Sequence, residues 1–247
     1  MKCKHCGKEI KEEYLFCPYC GVLQREDTPE YFERIYREMR LKGKMRCAAE
    51  ALEGAIKAGG EDPYYLKNLG DVYYLMGRLE DAIRCFERSI ELKPDFADTY
   101  YSLGVAYYRA GHAGKARDAL RKCIELNEEF AMAYYWLGLA FYHEGKLREA
   151  VENYEKLLSK NPESMIAHYH AGVAYVALGE YRKAVEHLEK IKQHSPGDPA
   201  VYYYLGKAYF RLHDLPKAIE NLTRCVEISE DERAKRLLHT ITSPPEL

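Results

Sequence analysis

Apolar positions in this chain recur at the spacing of an amphipathic helix, and that pattern itself recurs every thirty-four residues. Between Ala97 and Phe130, Tyr100, Leu103, Gly104 and Tyr107 fall on one face of a first helix, and Ala116, Leu120 and Cys123 on one face of a second. Gly111 stands just past the first helix, where a left-handed residue ends it. Gly70, Gly104, Gly138, Gly172 and Gly206 hold one register of the period, and Ala82, Ala116, Ala150, Ala184 and Ala218 hold another. Small residues fixed in both helices let two backbones approach closely. Pro94, Pro162 and Pro196 stop the second helix. A chain built this way is a stack of equal helix pairs, and its function lies on the surface that stacking creates.

The period divides the chain. Residues 1–24 form a cysteine module, 25–28 a short polar joint, and 29–232 six units (29–62, 63–96, 97–130, 131–164, 165–198 and 199–232). A final helix over 233–242 and a tail over 243–247 follow. In the first unit Tyr36 replaces the first glycine, while Gly43, Ala48, Leu52 and Ala55 keep register. Asp27, with Glu30 three residues on, predicts where its first helix starts. In the final helix Ala234, Leu237, Leu238 and Ile241 make an apolar stripe that caps the stack, with Arg233, Lys235, Arg236 and His239 facing away.

Leu69-Gly70-x-x-Tyr73, Ala82, Phe86 and Pro94, with the same columns in the four units that follow, resemble the tetratricopeptide repeat over 63–232, and more loosely over 29–62. The departures are Glu128 and Glu230 where proline would stand, His213 in place of glycine, and Leu157 and Ile191 in a column that is usually small. The resemblance implies an all-α solenoid of about six helix-turn-helix repeats with a capping helix, whose first helices line a concave groove. Aromatic doublets such as Tyr73-Tyr74, Tyr107-Tyr108, Phe141-Tyr142 and Tyr209-Phe210 lie on those first helices. Neighbours on a helix point about 100° apart, so one ring of a doublet packs between helices while the other faces the groove.

The expected partner-binding groove therefore comprises Lys67, Asp71, Tyr74, Tyr101, Val105, Tyr108 and Arg109, followed by Tyr135, Leu139, Tyr142, His143, Tyr169, Val173, Tyr203, Lys207 and Phe210. Val105, Leu139 and Val173, joined by Met132, Ile166 and Val176, make its centre apolar. The expected partner is a protein or peptide that offers an amphipathic helix or an extended apolar segment; the cysteine module or a second copy of the chain are competing occupants. Some grooves of the family clamp an acidic C-terminal tail with lysine, asparagine and arginine. Lys67-Asn68 matches that in part, but Asp71 and Asp98 would repel a carboxylate.

Cys3-Lys4-His5-Cys6-Gly7 and Cys17-Pro18-Tyr19-Cys20-Gly21 are two matching knuckles ten residues apart. Four thiolates can surround a zinc ion tetrahedrally, so Cys3, Cys6, Cys17 and Cys20 are the expected ligands of one structural Zn2+, on a small β-hairpin module that resembles a minimal zinc ribbon. Gly7 and Gly21 allow turns that aim backbone N–H groups at sulfur. A rubredoxin-like iron site shares Cys-Pro-x-Cys-Gly but spaces its knuckles more widely, a redox dithiol needs a strand–helix setting, and His5 is an alternative ligand. Four thiolates leave no position for an activated water, which excludes a catalytic zinc. The other cysteines, Cys47, Cys85, Cys123 and Cys225, fall on apolar helical faces and read as packing.

With 247 residues and a net charge of −2, the chain lacks the basic excess of a protein devoted to nucleic-acid phosphates. It has no apolar run of the roughly 18–20 residues that span a bilayer. Met1-Lys2-Cys3 enters the cysteine motif at once, which leaves no room for a signal peptide and makes the cytoplasm the expected compartment. An enzyme is not expected. His143, His168, His170 and His187 are dispersed, without paired carboxylates or a nucleophile, and read as column substitutions or solvated residues. A protein-binding adaptor is the leading expectation. The alternatives are a nucleic-acid-associated factor that touches DNA or RNA through the ribbon, and a zinc or redox sensor.

Overall fold

The computed structural model of the protein describes residues 1–3, 6–11, 18–20 and 28–243. These fall into two compact units, 1–126 and 127–247. In the first, α1 (Pro29–Leu41) packs on α2 (Met45–Gly59), α3 (Pro63–Leu75) on α4 (Leu79–Leu92), and α5 (Ala97–Arg109) on α6 (Ala113–Leu126). Each second helix also packs on the next first helix within the unit. Leu52, Leu69, Tyr73, Ala82, Phe86, Leu103 and Ala116 join one buried core. The α1 helix starts one residue later than expected: Thr28 caps it by accepting from the Tyr31 N–H at 3.3 Å, and Pro29 occupies the position where a missing N–H is harmless. Asp27 lies outside the described residues.

Steric complementarity explains the glycine column. A Cβ on Gly70 would lie 2.5 Å from the Phe86 ring, and one on Gly104 would lie 2.6 Å from Leu120. Ordinary carbon contacts are about 3.5–4.0 Å, so a bulky residue on the second helix fits only because the first helix carries none. The first repeat reverses this arrangement. Tyr36 fills the glycine place and is buried, while Phe32 of α1 lies over Gly54 of α2, whose Cβ would come within 2.5 Å of that ring. Large and small have exchanged helices.

The second unit contains α7 (Ala131–His143), α8 (Leu147–Lys160), α9 (Met165–Leu178), α10 (Tyr181–His194), α11 (Pro199–Arg211), α12 (Leu215–Ser229) and α13 (Glu232–Thr242). The same interlock pairs Gly138 with Tyr154, Gly172 with Leu188 and Gly206 with Leu222. Leu157 and Ile191, the enlarged column, are fully packed. His213 takes the left-handed turn that glycine takes at Gly111 and Gly179, with φ of +63°. The α13 helix caps α12: Ala234 is wholly buried, and Leu237, Leu238 and Ile241 pack against Tyr202, Leu222 and Cys225.

A second column ties successive repeats together. Tyr73 donates its hydroxyl to Glu53 and Tyr107 to Glu87, both in the first unit; Tyr175 donates to Glu155 at 2.9 Å and Tyr209 to Glu189 at 3.0 Å in the second. In each case the tyrosine is on a first helix and the glutamate on the preceding second helix. Burial, then the carboxylate, pushes these phenols above their ordinary range, to about 12 for Tyr107. A cation covers each ring, for example Lys183 at 5.2 Å from Tyr175 and Lys217 at 5.1 Å from Tyr209. These rings build the stack and are not available to a partner.

Candidate functional site

The N-terminal knuckle is closed by short backbone bonds. Cys3 N–H donates to the Lys8 carbonyl at 2.8 Å, Gly7 N–H to the Cys3 carbonyl at 3.0 Å, and Ile10 N–H to the Met1 carbonyl at 2.8 Å. Gly7 takes φ of +71°, which the turn requires. The Cys6 N–H points at Cys3 Sγ at 3.4 Å, as the knuckle reading expects. Among the described residues the hairpin reduces to a single antiparallel bridge, Lys2 with Glu9.

Cys3, Cys6 and Cys20 converge, with sulfur atoms all within 4.8 Å of one another and Cys3 Sγ 3.6 Å from Cys20 Sγ. Tetrahedral zinc with Zn–S bonds of about 2.3 Å sets its sulfurs about 3.8 Å apart. Three thiols at this spacing around buried Cys3 and Ile10 fit such an ion. Cys17 and His5 lie outside the described residues. Of the remaining cysteines, Cys123 and Cys225 are wholly buried, and burial pushes the Cys123 thiol up to about 12 and that of half-buried Cys85 to about 11. Cys47 departs from its expected packing role: it sits in the first turn of α2 on the exposed side.

The expected groove residues divide by burial. In the first unit Tyr74, Tyr101 and Tyr108 are half-buried and present part of their rings, but Val105 is only 6% exposed. Lys67 is bound to Asp71 at 2.7 Å, Ser102 donates to the same carboxylate at 3.3 Å, and Arg109 covers the Tyr74 ring at 4.9 Å. The charges of this face therefore satisfy one another.

In the second unit Tyr135, Leu139 and Val173 are 8% exposed each and belong to the core, which corrects their assignment as contact residues. Side chains in the column of Val105, Leu139 and Val173 meet the flanking helix before they meet solvent, and Tyr135 is covered by His170. Met132, Ile166 and His143 are exposed, and Tyr142, Tyr169, Tyr203, Lys207 and Phe210 are half-buried. A run of ring contacts crosses α7, α9 and α11: Tyr135 to His170 at 5.3 Å, His170 to Tyr169 at 5.3 Å, Tyr169 to Tyr204 at 6.4 Å, and Tyr204 to Tyr203 at 5.3 Å. Arg233 ends the run 4.4 Å above Tyr203. Burial, with Tyr204 nearby, raises the Tyr169 phenol, so its hydroxyl stays a protonated donor.

Two histidines are neither solvated nor isolated. His168 Nδ1 lies 2.8 Å from His187 Nδ1, and His168 Nε2 lies 2.9 Å from the Pro162 carbonyl. His187 Nε2 faces Glu155 at 3.2 Å, and its ring stacks on Tyr175. Burial lowers the His187 pKa, against the opposing pull of Glu155, and burial lowers that of His170. This network links a second helix to the latch of the preceding repeat. Its signal in the sequence was His168, in a column otherwise held by Leu66, Tyr100, Tyr134 and Tyr202.

Family models meet this geometry along most of the chain. Models described as TPR repeat and tetratricopeptide repeat match residues 70–111, 101–151, 144–199 and 179–241, and a zinc-ribbon domain model matches residues 2–21. The chain belongs to the tetratricopeptide-repeat family. This TPR protein resembles solved structures of MamA (28% identity, TM-score 0.62, covering 68% of this chain and 97% of that one) and of MamA from residue 41 onward of Desulfovibrio magneticus RS-1 (23%, 0.64, 67% and 93%). It also resembles YrrB, described as a TPR protein with an unusual peptide-binding site (22%, 0.71, 78% and 100%). The last two likenesses are of fold. No curated protein matches the TPR chain. No described helix is long and apolar enough to cross a membrane.

Proposed function

We propose that this protein is a non-enzymatic interaction scaffold whose first helices hold a peptide segment of a partner protein, with one structural zinc in its N-terminal ribbon. The observation that carries this reading is the division of labour among tyrosines. Tyr73, Tyr107, Tyr175 and Tyr209 are latched to glutamates, whereas Tyr74, Tyr108, Tyr142 and Tyr169 keep part of their rings at the surface. Tyrosine anchors interfaces well because it brings large area at low entropic cost. The peptide-binding description of YrrB, a neighbour in fold, is consistent with it. The paired histidines direct their nitrogens to each other, to Pro162 and to Glu155, which leaves them no role as a base for a substrate.

In the ribbon, Cys3, Cys6, Cys17 and Cys20 are the residues that would hold zinc. Bound there, the ion supplies a crosslink worth about 10–16 kcal/mol of folding free energy to a module too small for its own core. The thiolates hold and orient; no reaction is assigned to them.

Replacing Tyr142 and Tyr169 together by glutamate tests the scaffold reading. Both are half-buried and off the latches, so helicity by circular dichroism stays at the wild-type level. A partner isolated from native cells with the wild type should lose 30-fold or more in affinity, as for a hot spot of about 2 kcal/mol. Unchanged recovery of that partner by the variant would sink the reading.

A further inference from the structure

We infer that the cleft between α11 and α13 binds an acidic peptide segment of a partner protein, one that carries a large apolar side chain beside its carboxylates. The inference rests on the scaffold reading and names the chemistry of its occupant. The cleft encloses about 390 Å³. Lys207 and Arg211 of α11 and Arg233 and Arg236 of α13 line it, Phe210 and Leu237 give it an apolar part, and no carboxylate is among its lining residues.

The cations differ in availability. Arg233 is held by Asp231 at 2.6 Å and rests over the Tyr203 ring, so it fixes one wall; the arginine in turn keeps the Asp231 carboxyl down at about 2. Arg236 donates through Nε to the Glu232 carbonyl at 3.2 Å, which leaves its terminal nitrogens toward the cleft lining. Lys207 and Arg211 make no ion pair with any described residue. They stand four apart on one helical face, an arrangement of like charges that weakens a helix. The fold accepts that repulsion in a place where an anion would relieve it.

Two comparisons within the protein sharpen the assignment. The column of Lys207 holds Asp71 in the first unit, and there Lys67 neutralises it at 2.7 Å. A cavity of about 720 Å³ bounded by α8 and α10 is lined by Arg148, Lys156 and Lys183 together with Glu152, Glu155 and Glu180, so its charges complement themselves. The α11–α13 cleft, unlike the α8–α10 cavity, has both one sign of charge and unpaired donors. Two or three available cations over an apolar part fit a short carboxylate-bearing peptide. A nucleic-acid strand would call for a longer basic track. Guanidinium forks favour bidentate carboxylates.

The test is fluorescence anisotropy with the full chain and a fluorescein-labelled peptide in which glutamates flank one tryptophan, beside a counterpart with glutamine at every glutamate. The wild type should bind the acidic peptide, more weakly as salt rises, and bind the glutamine peptide at least tenfold less well. Lys207→Glu with Arg211→Glu should lose tenfold or more while keeping the wild-type melting curve, and Lys207→Gln with Arg211→Gln should lose less. No binding by the wild type, equal affinity for both peptides, or equal affinity of wild type and charge-reversed protein overturns the inference. An unlabelled single-stranded oligonucleotide that displaces the peptide better than the free acidic peptide does also overturns it. Tyr142 and Tyr169 do not line this cleft, so failure here leaves their partner-capture test untouched, and failure there is read separately.

Discussion

Two glycine-to-alanine replacements should change stability in opposite directions, and the contrast tests the interlock on which the fold rests. At Gly138 of α7, an added Cβ would lie 2.5 Å from Cε1, 2.8 Å from Cδ1 and 3.0 Å from Cζ of the Tyr154 ring. Reaching an ordinary contact requires about 1 Å of movement. The Tyr154 ring is wholly buried and cannot swing into solvent, so α7 and α8 must part. Overpacking of this kind costs about 1–3 kcal/mol, and alanine returns about 1 kcal/mol through helix propensity. Gly138→Ala should therefore destabilise the α7–α8 pair by up to about 2 kcal/mol. Gly114, in the first turn of α6, has nothing within 4 Å of the same built atom, and Gly114→Ala should stabilise by about 0.5 kcal/mol.

Repeat arrays need not unfold in one step, so the assay should be local: amide hydrogen exchange read helix by helix, supported by urea titration. Faster exchange confined to α7 and α8 in Gly138→Ala, with slower or unchanged exchange in α6 of Gly114→Ala, is the expected result. Equal stability of the two variants would refute the steric account, because propensity alone raises both.

Other outcomes follow from single features. His213→Gly relieves a left-handed non-glycine residue and should raise stability by about 0.5–1 kcal/mol, seen as a higher melting temperature; a lower one would contradict the turn geometry. Purified protein should carry one zinc per chain by elemental analysis, Cys3→Ser should carry none, and chelation should spare most of the helical signal at 222 nm. Burial holds His170 and His187 below the ordinary imidazole value, so the unfolded chain binds protons more readily. Stability contributed by their neutral forms is complete above about pH 6.5 and falls as acid is added below it. Denaturation midpoints between pH 7 and 5 should drop, and His170→Gln should flatten the slope.

The architecture was legible because each repeat obeys the same volume rule. A glycine on one helix demands a bulky partner sixteen residues on, and Gly70 with Phe86, Gly138 with Tyr154 and Gly206 with Leu222 all satisfy it. The first repeat hid its solution, since Phe32 and Gly54 exchange the roles of helix and partner. The latches were legible in principle from a constant twenty-residue spacing, Glu53 to Tyr73 and Glu155 to Tyr175. Phe141 has no hydroxyl, and Arg121 stands where the glutamate would. The surface was read less well. A helical wheel assigns a face by angle, and angle placed Val105, Leu139 and Val173 in the groove. How far a neighbouring helix overhangs that angle decides burial, and no single-helix pattern contains it.

The same limit explains why the pattern puts Tyr203, Lys207 and Phe210 in the groove but turns Arg233 and Arg236 away from it, and it bears on which charges in a repeat protein carry function. On α13 alone, Arg233 and Arg236 are the polar side of an amphipathic helix. Packing α13 on α12 brings them beside α11, where Lys207 and Arg211 already repel by an amount on the order of 0.2–0.5 kcal/mol. Lys67 and Asp71, at the same four-residue spacing in the first unit, attract instead. A sequence under pressure only for stability would favour the second arrangement in both places, since one acidic substitution at Arg211 converts repulsion to attraction. Lys207→Ala should accordingly leave stability unchanged or raise it by a few tenths of a kcal/mol, measured by urea denaturation. A loss above about 1 kcal/mol would show that the lysine is there to hold α11, and would remove the energetic reason for assigning the cleft to a ligand.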